Sequence, residues 1–147
     1  MPVLATNKKA HFDYEILQTF EAGLQLTGQE VKSAKKGSAK LKGSYVVITG
    51  DEAFLLNMHI PKYAKAGSIP NYDPYRSRKL LLKRKELDLL IGKKNEKGLT
   101  LIPTKLYTKY GKIKLEFGIG RGKKKYEKKE TIKKRDLDRE IKRKYGV

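Results

Sequence analysis

The alternation of apolar and polar residues predicts a chain built mostly of short β-strands. The clearest alternation covers residues 113–119, where Ile, Leu, Phe and Ile take every second position. A period of two is that of a strand with one buried face. The same period covers residues 12–16 and resumes at Leu24, so we predict a first strand that bends near Gly23.

Further apolar segments predict the other strands. Residues 44–49 and 53–60 are separated by a short glycine-bearing turn, which indicates a hairpin of buried strands. Residues 78–82 form another strand. Residues 99–102 and 105–109 form one that Pro103 interrupts, followed by a turn at Tyr110 and Gly111.

Two short helices are predicted between these strands. Thr27 is followed three residues later by Glu30, which is the spacing of a capping box, so a helix is predicted over residues 28–36, ending at Gly37. Apolar residues spaced three and four apart predict a second helix over residues 83–95.

The long loop of residues 61–77 carries both prolines and tyrosines. Pro61, Pro70 and Pro74 exclude regular structure. The tyrosine rings of this loop are available either for stacking on a ligand or for packing against the core, and both interpretations stay open. These rings are Tyr63, Tyr72 and Tyr75.

Strands joined mostly by short turns predict an antiparallel sheet. The economical closed form for a domain of this size is a small Greek-key barrel of the oligonucleotide-binding type, with two or three short helices. A simple β-sandwich is the structural alternative.

The net charge of the chain indicates what kind of partner it binds. The sequence has 35 Lys and Arg against 16 Asp and Glu, a formal net charge of +19, so we predict a polyanionic partner and above all nucleic acid. Residues 120–147 alone hold 13 basic and five acidic residues. We therefore predict an RNA-binding barrel over residues 1–120 and a basic tail over residues 121–147.

The tail has too few apolar residues to fold alone, so we expect it to be disordered when free. Leu137, Ile141 and Tyr145 recur every four residues, which predicts a helix that forms on an RNA surface. A solvated helix or a solubilising tail is the alternative. Gly118, Gly120 and Gly122 lack the spacing of a dinucleotide-binding loop, and we interpret them as a flexible hinge before the tail.

No residue pattern indicates catalysis, a cofactor or a metal site. The chain has no cysteine, and His11 and His59 have no acidic partner at metal-ligand spacing. Residues 1–15 lack the long apolar run of a signal peptide, and no stretch approaches the roughly 20 apolar residues that span a bilayer. We expect a cytoplasmic, non-enzymatic protein with no membrane partner.

Several strings, in order along the chain, resemble one protein family over essentially the whole length. It is the SsrA-binding protein, or small protein B, family of bacteria. The strings are Asn7-Lys8-Lys9-Ala10, Phe20-Glu21-Ala22-Gly23, Gly28-Gln29-Glu30-Val31-Lys32-Ser33, Asp73-Pro74-Tyr75-Arg76-Ser77-Arg78-Lys79-Leu80-Leu81-Leu82 and Lys83-Arg84-Lys85-Glu86-Leu87.

The resemblance implies a function in ribosome rescue, or trans-translation. The barrel would bind the tRNA-like domain of transfer-messenger RNA and deliver it, with elongation factor Tu bound to the RNA, to stalled ribosomes. The tail would enter the empty mRNA channel of the small subunit, near the decoding centre, and fold there as a helix. We expect the protein to act as a monomer.

The resemblance also assigns roles to residues. It places Asn7, Glu21 and Leu81 at the RNA, and the basic surface around them adds Lys8, Lys32, Arg76, Arg78 and Lys79. A carboxylate such as Glu21 in an RNA interface would accept hydrogen bonds from base or ribose groups. The alternative is a strand-end residue paired with a lysine.

In the tail, the ribosome-binding residues implied by the resemblance are Tyr126, Glu127, Lys128, Lys129, Arg135 and Leu137. The family has an Asp-Lys-Arg string, usually after a histidine, where this chain has Glu127-Lys128-Lys129 after Tyr126. Leu137 stands where some members have tryptophan. Charge and ring character are kept, so we predict retained function, although lysine does not reproduce a bidentate arginine contact. The alternative to a rescue factor is a structural ribosomal protein, which the same basic tail would hold permanently in the ribosome.

Overall fold

The computed structural model describes residues 2–123, apart from residues 68, 94, 95 and 97. In chain order the elements are β1 Val3–Thr6, α1 Lys8–Asp13, β2 Tyr14–Leu24, α2 Gly28–Lys35, β3 Tyr45–Thr49, β4 Glu52–Leu56, a 3-10 turn Ala64–Ala66, β5 Arg78–Leu81, α3 Arg84–Lys93, β6 Leu99–Lys109 and β7 Lys112–Gly122.

The strands form one antiparallel sheet in the order β1-β6-β7-β2-β5-β4-β3. Strands β3, β4 and β5 are consecutive, and β2 lies beside β5, which is a Greek-key arrangement. Val46 of β3 and Leu101 of β6 line one common cleft, so the sheet curls until β3 approaches β6. The predicted mainly β, antiparallel fold is confirmed.

The core lies inside this curved sheet. Phe20 of β2 and Phe117 of β7 are paired in register, and their ring centroids lie 5.6 Å apart. Leu55, Leu106 and Leu115 are fully buried around them. The alternate residues of the same strands therefore face outward.

Local sequence signals set the start of α2 and the turn between β6 and β7. The Thr27 side chain accepts a hydrogen bond from the Glu30 N–H, and Glu30 accepts one from the Thr27 N–H, so the predicted capping box is confirmed. Tyr110 and Gly111 have φ angles of 53° and 76°. Two positive φ angles are what a two-residue hairpin turn of type I′ requires.

The beginning of the chain differs from the prediction. The strand predicted from residue 12 begins only at Tyr14, because Phe12 and Asp13 end the helix α1, and neither α1 nor β1 was predicted. The helix is held by contacts that are distant in sequence: the Asn7 N–H donates to the Thr104 carbonyl at 2.8 Å, and the Lys123 N–H donates to the Asp13 carbonyl at 2.8 Å. The register of β2 against β7 shifts between Ile16 and Gln18, while Gly23 is paired regularly with Lys114.

The predicted glycine hinge is wrong. Gly118 and Gly120 are buried inside β7, and the strand continues to Gly122, which pairs with Tyr14. A Cβ atom at Gly118 would lie 2.7 Å from Ile16 Cγ2, and one at Gly120 would lie 2.7 Å from Ile102 Cδ1. These glycines allow close packing of neighbouring side chains rather than motion.

Candidate nucleic-acid interface

One outward face of the sheet carries a group of charged and polar side chains from four strands. Since Ile113, Leu115 and Phe117 point into the core, the residues between them on β7 point outward. Strand register brings outward residues of β6, β2 and β5 alongside. We call this surface the basic sheet face, and it comprises Glu21, Lys79, Leu81, Lys105, Tyr107, Lys109, Lys112, Lys114 and Glu116.

Glu21 lies near the middle of the basic sheet face. One carboxylate oxygen, Oε2, accepts a short hydrogen bond from the Tyr107 hydroxyl, and Lys109 Nζ lies 3.3 Å from Oε1. The hydrogen bond from Tyr107 lowers the pKa of Glu21, and Lys109 adds to this effect, while partial burial opposes it. The lowered pKa keeps the carboxylate ionised at neutral pH, and the side chain is 37% exposed, so it is open to a ligand.

Leu81 is the exposed apolar residue of this face. It pairs with Gly23 on β2, and it is 54% exposed. A Cβ atom at Gly23 would lie 3.3 Å from Leu81 Cβ, so the glycine leaves room for the leucine. Beside them is a cleft of about 310 Å³ lined also by Leu26, Val31 and Lys114.

Asn7 lies at the other side of the same region. Its side-chain amide donates to the Pro103 carbonyl at 2.9 Å, which fixes the junction of β1 and α1 on β6. The next residue, Thr104, donates to Glu116, the register partner of Glu21. Asn7 is therefore connected to the row containing Glu21, with exposed Lys8 beside it.

Arg76 and Arg78 form a second cluster with Glu30 of α2. Arg78 is fully buried and donates to Glu30 Oε2 at 2.9 Å and to the carbonyls of Met58 and Pro74. Arg76 is partly exposed and lies 2.5 Å from Oε1. Arg78 therefore holds the loop against α2 and does not present its guanidinium to a ligand.

Lys32 lies on the outer side of this cluster. Lys32 Nζ and Lys36 Nζ lie 5.8 and 4.8 Å from the centroid of the Tyr63 ring. The Tyr72 hydroxyl donates to the Ile60 carbonyl, and Tyr75 lies against His59. Within the described loop, all three tyrosines thus make contacts inside the protein, although Tyr75 stays half exposed.

The structure therefore divides the predicted RNA-binding residues into two groups. Glu21, Lys79 and Leu81 lie on the basic sheet face, with Asn7 and Lys8 at its margin. Lys32, Arg76 and Arg78 belong to α2 and the loop that packs on it. The six predicted tail residues, Tyr126, Glu127, Lys128, Lys129, Arg135 and Leu137, lie outside the described residues.

Sequence reasoning missed the lysines of β6 and Tyr107 as parts of the site. The outward position of Lys112, Lys114 and Glu116 followed from the alternation in β7. No local signal linked Tyr107 to Glu21, because 86 positions separate them in the chain. Only the pairing of β6, β7 and β2 brings them together.

Metal-binding side chains are not clustered in the described part of the chain. No group of three or more His, Asp or Glu side chains within these ranges lies close enough to hold a metal ion. Among the helices of the same ranges, none has the length and apolar character needed to cross a membrane.

Comparison with known families gives a match over nearly the whole chain. The model of the SmpB protein family matches residues 4–146. The SsrA-binding protein of Persephonella marina is 52% identical over 143 residues, which are 97% of this chain and 93% of the relative. That of Lactobacillus gasseri is 50% identical over 145 residues, 99% of this chain and 95% of the relative.

A solved structure shows the same fold. Its description reads "tmRNA-SmpB: a journey to the center of the bacterial ribosome". The matched chain is 47% identical in sequence and superposes with a TM-score of 0.69, covering 85% of this chain and 87% of that one.

Proposed function

This chain belongs to the SmpB family, and from that premise we propose that it binds transfer-messenger RNA and delivers it to stalled ribosomes for trans-translation. The proposed RNA contact is the basic sheet face, with the tRNA-like domain of the RNA as the bound part. The observation that carries this assignment is the placement of Glu21 and Leu81 in neighbouring rows of one outward face, together with lysines of β5, β6 and β7.

The two kinds of side chain on this face have different roles. The lysines neutralise phosphates, which gives affinity that falls with salt but carries little sequence information. Glu21 repels phosphate and accepts hydrogen bonds only from donors on bases or riboses, so it favours one RNA shape over others. Leu81 offers an apolar surface for an unstacked base.

The remaining partners follow from the same proposal. Elongation factor Tu is reached through the shared RNA, and a monomer suffices because the whole basic sheet face lies on one chain. We assign the contacts with the decoding centre and mRNA channel to residues 124–147, whose basic composition suits a ribosomal RNA surface. Rescue would take place in the cytoplasm, where ribosomes translate.

A reconstituted translation reaction on a truncated message tests this function. Full-length protein should support addition of the peptide tag, and the Lys112→Glu/Lys114→Glu variant should lose both tagging and RNA binding. Lys85→Glu, on exposed α3, is the matched control and should keep both. A chain ending at Lys123 should bind the RNA without supporting tagging.

Two outcomes would overturn the proposed function. One is equal tagging with and without the protein. The other is recovery of the protein on nearly all ribosomes of growing cells, because a rescue factor occupies only the stalled few. That distribution would identify a structural ribosomal protein.

A further inference from the structure

Tyr107 belongs to the basic sheet face, but its side chain is buried there by its neighbours. Its hydroxyl reaches Glu21 on the same face. The residue is 6% exposed, and its strand, β6, is separated from Glu21 on β2 by β7. The side chain therefore extends across β7 to reach the carboxylate. Lys105 Nζ lies 5.5 Å from the Tyr107 ring centroid, and Lys109 Nζ lies 3.3 Å from the Glu21 carboxylate that the hydroxyl contacts.

The result is a carboxylate fixed on its inner side and open on its outer side. A carboxylate has about four lone-pair positions on its two oxygens. Tyr107 uses one on Oε2, and Lys109 lies within 3.3 to 3.4 Å of both oxygens. The Glu21 side chain is 37% exposed, so part of the carboxylate stays accessible to a bound RNA.

We propose that Tyr107 is a positioning residue that orients the Glu21 carboxylate to accept hydrogen bonds from base or ribose donors of the bound RNA. This inference rests on the proposed function and adds a residue that touches Glu21 instead of the RNA. An acceptor that is already fixed loses little freedom on binding, so each of its hydrogen bonds contributes more to affinity. The orientation also excludes a phosphate, which has no donor to offer.

Charge supports the same role. The hydrogen bond from Tyr107 keeps the pKa of Glu21 low, while burial and the bond to Glu21 keep the pKa of Tyr107 high. At neutral pH the phenol is thus always the donor and the carboxylate always the acceptor. The direction of the hydrogen bond from Tyr107 to Glu21 is therefore fixed at cellular pH.

The test uses full-length protein and full-length transfer-messenger RNA. Tyr107→Phe removes only the hydroxyl, and we expect about tenfold weaker RNA binding, the size of one hydrogen bond to a charged group. Tyr72→Phe is the matched control, because it also removes a tyrosine hydroxyl that donates to a protein acceptor, at 2.7 Å. It should cost some stability and leave RNA affinity unchanged.

A double-mutant cycle separates positioning from direct contact. In the Glu21→Ala background, Tyr107→Phe should have little further effect on RNA affinity, since the carboxylate that it orients is absent. Full additivity of the two effects would show that Tyr107 acts on the RNA by itself or through general packing, and would overturn the inference.

A spectroscopic measurement on the free protein gives an independent check. Tyr107→Phe should raise the pKa of Glu21, read from the side-chain carboxyl carbon by NMR, while Tyr72→Phe should not. An unchanged Glu21 pKa in the Tyr107→Phe protein would contradict the inference. Failure of these tests leaves the proposed function intact, because that function depends on the preference of the unmodified protein for transfer-messenger RNA.

The chemical source of the donor is resolved with altered RNA. A fragment of the tRNA-like domain with deoxyribose at its unpaired positions should lose the contribution of Glu21 only if the donor is a 2′-hydroxyl. Retention of that contribution identifies a base amino or imino group. Either result supports positioning, and loss of Glu21 dependence with both RNAs would overturn it.

Discussion

The buried guanidinium of Arg78 donates its Nε–H to Glu30 Oε2 at 2.9 Å, and the Arg78 side chain has no exposed surface. Glu30 also closes the capping box of α2. A single carboxylate therefore ties the start of α2 to β5 and to the loop that precedes it. This contact holds α2, with Lys32, and the loop against the sheet.

Replacing Arg78 should be strongly destabilising. Arg78→Met leaves the buried Glu30 charge with less compensation, and we expect a loss of about 3 to 5 kcal/mol in the free energy of unfolding. The control is Arg76→Met, since Arg76 pairs with the same carboxylate but its side chain is 43% exposed. That change should cost less than about 1 kcal/mol. Equal losses in urea unfolding would contradict the assigned difference.

The free energy of unfolding should fall on acidification, over a pH range set by the folded-state and unfolded-state pKa of Glu30. Burial raises the pKa of Glu30, but hydrogen bonds from Arg76, the Thr27 N–H and Arg78 outweigh it and hold the pKa below its ordinary value of 4.5. The unfolded chain therefore binds this proton first as the pH falls. The stabilisation is present above pH 4.5 and is lost as the pH falls through the folded-state pKa.

Urea unfolding measured from neutral to acidic pH tests this effect. Glu30→Gln should lower stability at neutral pH and flatten the acid limb of the profile. An acid limb as steep as that of the unmodified protein would assign the pH dependence to other carboxylates.

Replacing a glycine of β7 by alanine should destabilise the protein only where the added methyl group has no space. Gly118→Ala would bring a methyl group within 2.7 Å of Ile16 Cγ2 and 3.0 Å of the Gln18 carbonyl oxygen. We expect a loss of about 1 to 3 kcal/mol from overpacking. Gly122→Ala, in the same strand but with no atom within 4 Å of the added Cβ, is the control and should be close to neutral. Similar thermal unfolding of both variants would contradict the packing role of Gly118.

The sequence predicted those parts of the fold whose signals are local. The period of two in β7, the capping box at Thr27 and Glu30, and the turn at Tyr110 and Gly111 each lie within a few residues, and all are present in the structure. The six-residue helix α1 has too few turns for an apolar period to appear. It exists because β6 and the end of β7 hold it in place.

The candidate site follows the same rule. The resemblance to the family placed roles on Glu21 and Leu81, and alternation put the β7 lysines on an outward face. Neither showed that Arg78 is enclosed or that Tyr107 reaches Glu21, because these contacts join positions 48 and 86 residues apart. Such contacts depend on the order of the strands in the sheet. The sequence predicted an antiparallel Greek-key barrel but not that order.

The lysines of the basic sheet face should contribute mainly by neutralising phosphates. Lys114→Ala should weaken binding to different RNAs by similar factors, and it should reduce the salt dependence of log K by about 0.7 to 0.9 for each phosphate that is no longer neutralised. Glu21→Gln should instead weaken the preferred RNA most and leave the slope nearly unchanged. Binding isotherms at several salt concentrations distinguish the two, with Lys85→Ala as the control. A base-selective effect of Lys114→Ala would contradict this division.

The central claim is that the folded part of the chain selects one RNA by shape and hydrogen bonding, and not by charge alone. The most direct measurement compares its binding to transfer-messenger RNA, an ordinary tRNA and duplex DNA across a range of salt. We predict a clear preference for transfer-messenger RNA that persists as salt weakens all three complexes. Equal affinity for the three at every salt concentration would contradict the claim, and would leave a basic barrel that binds any polyanion.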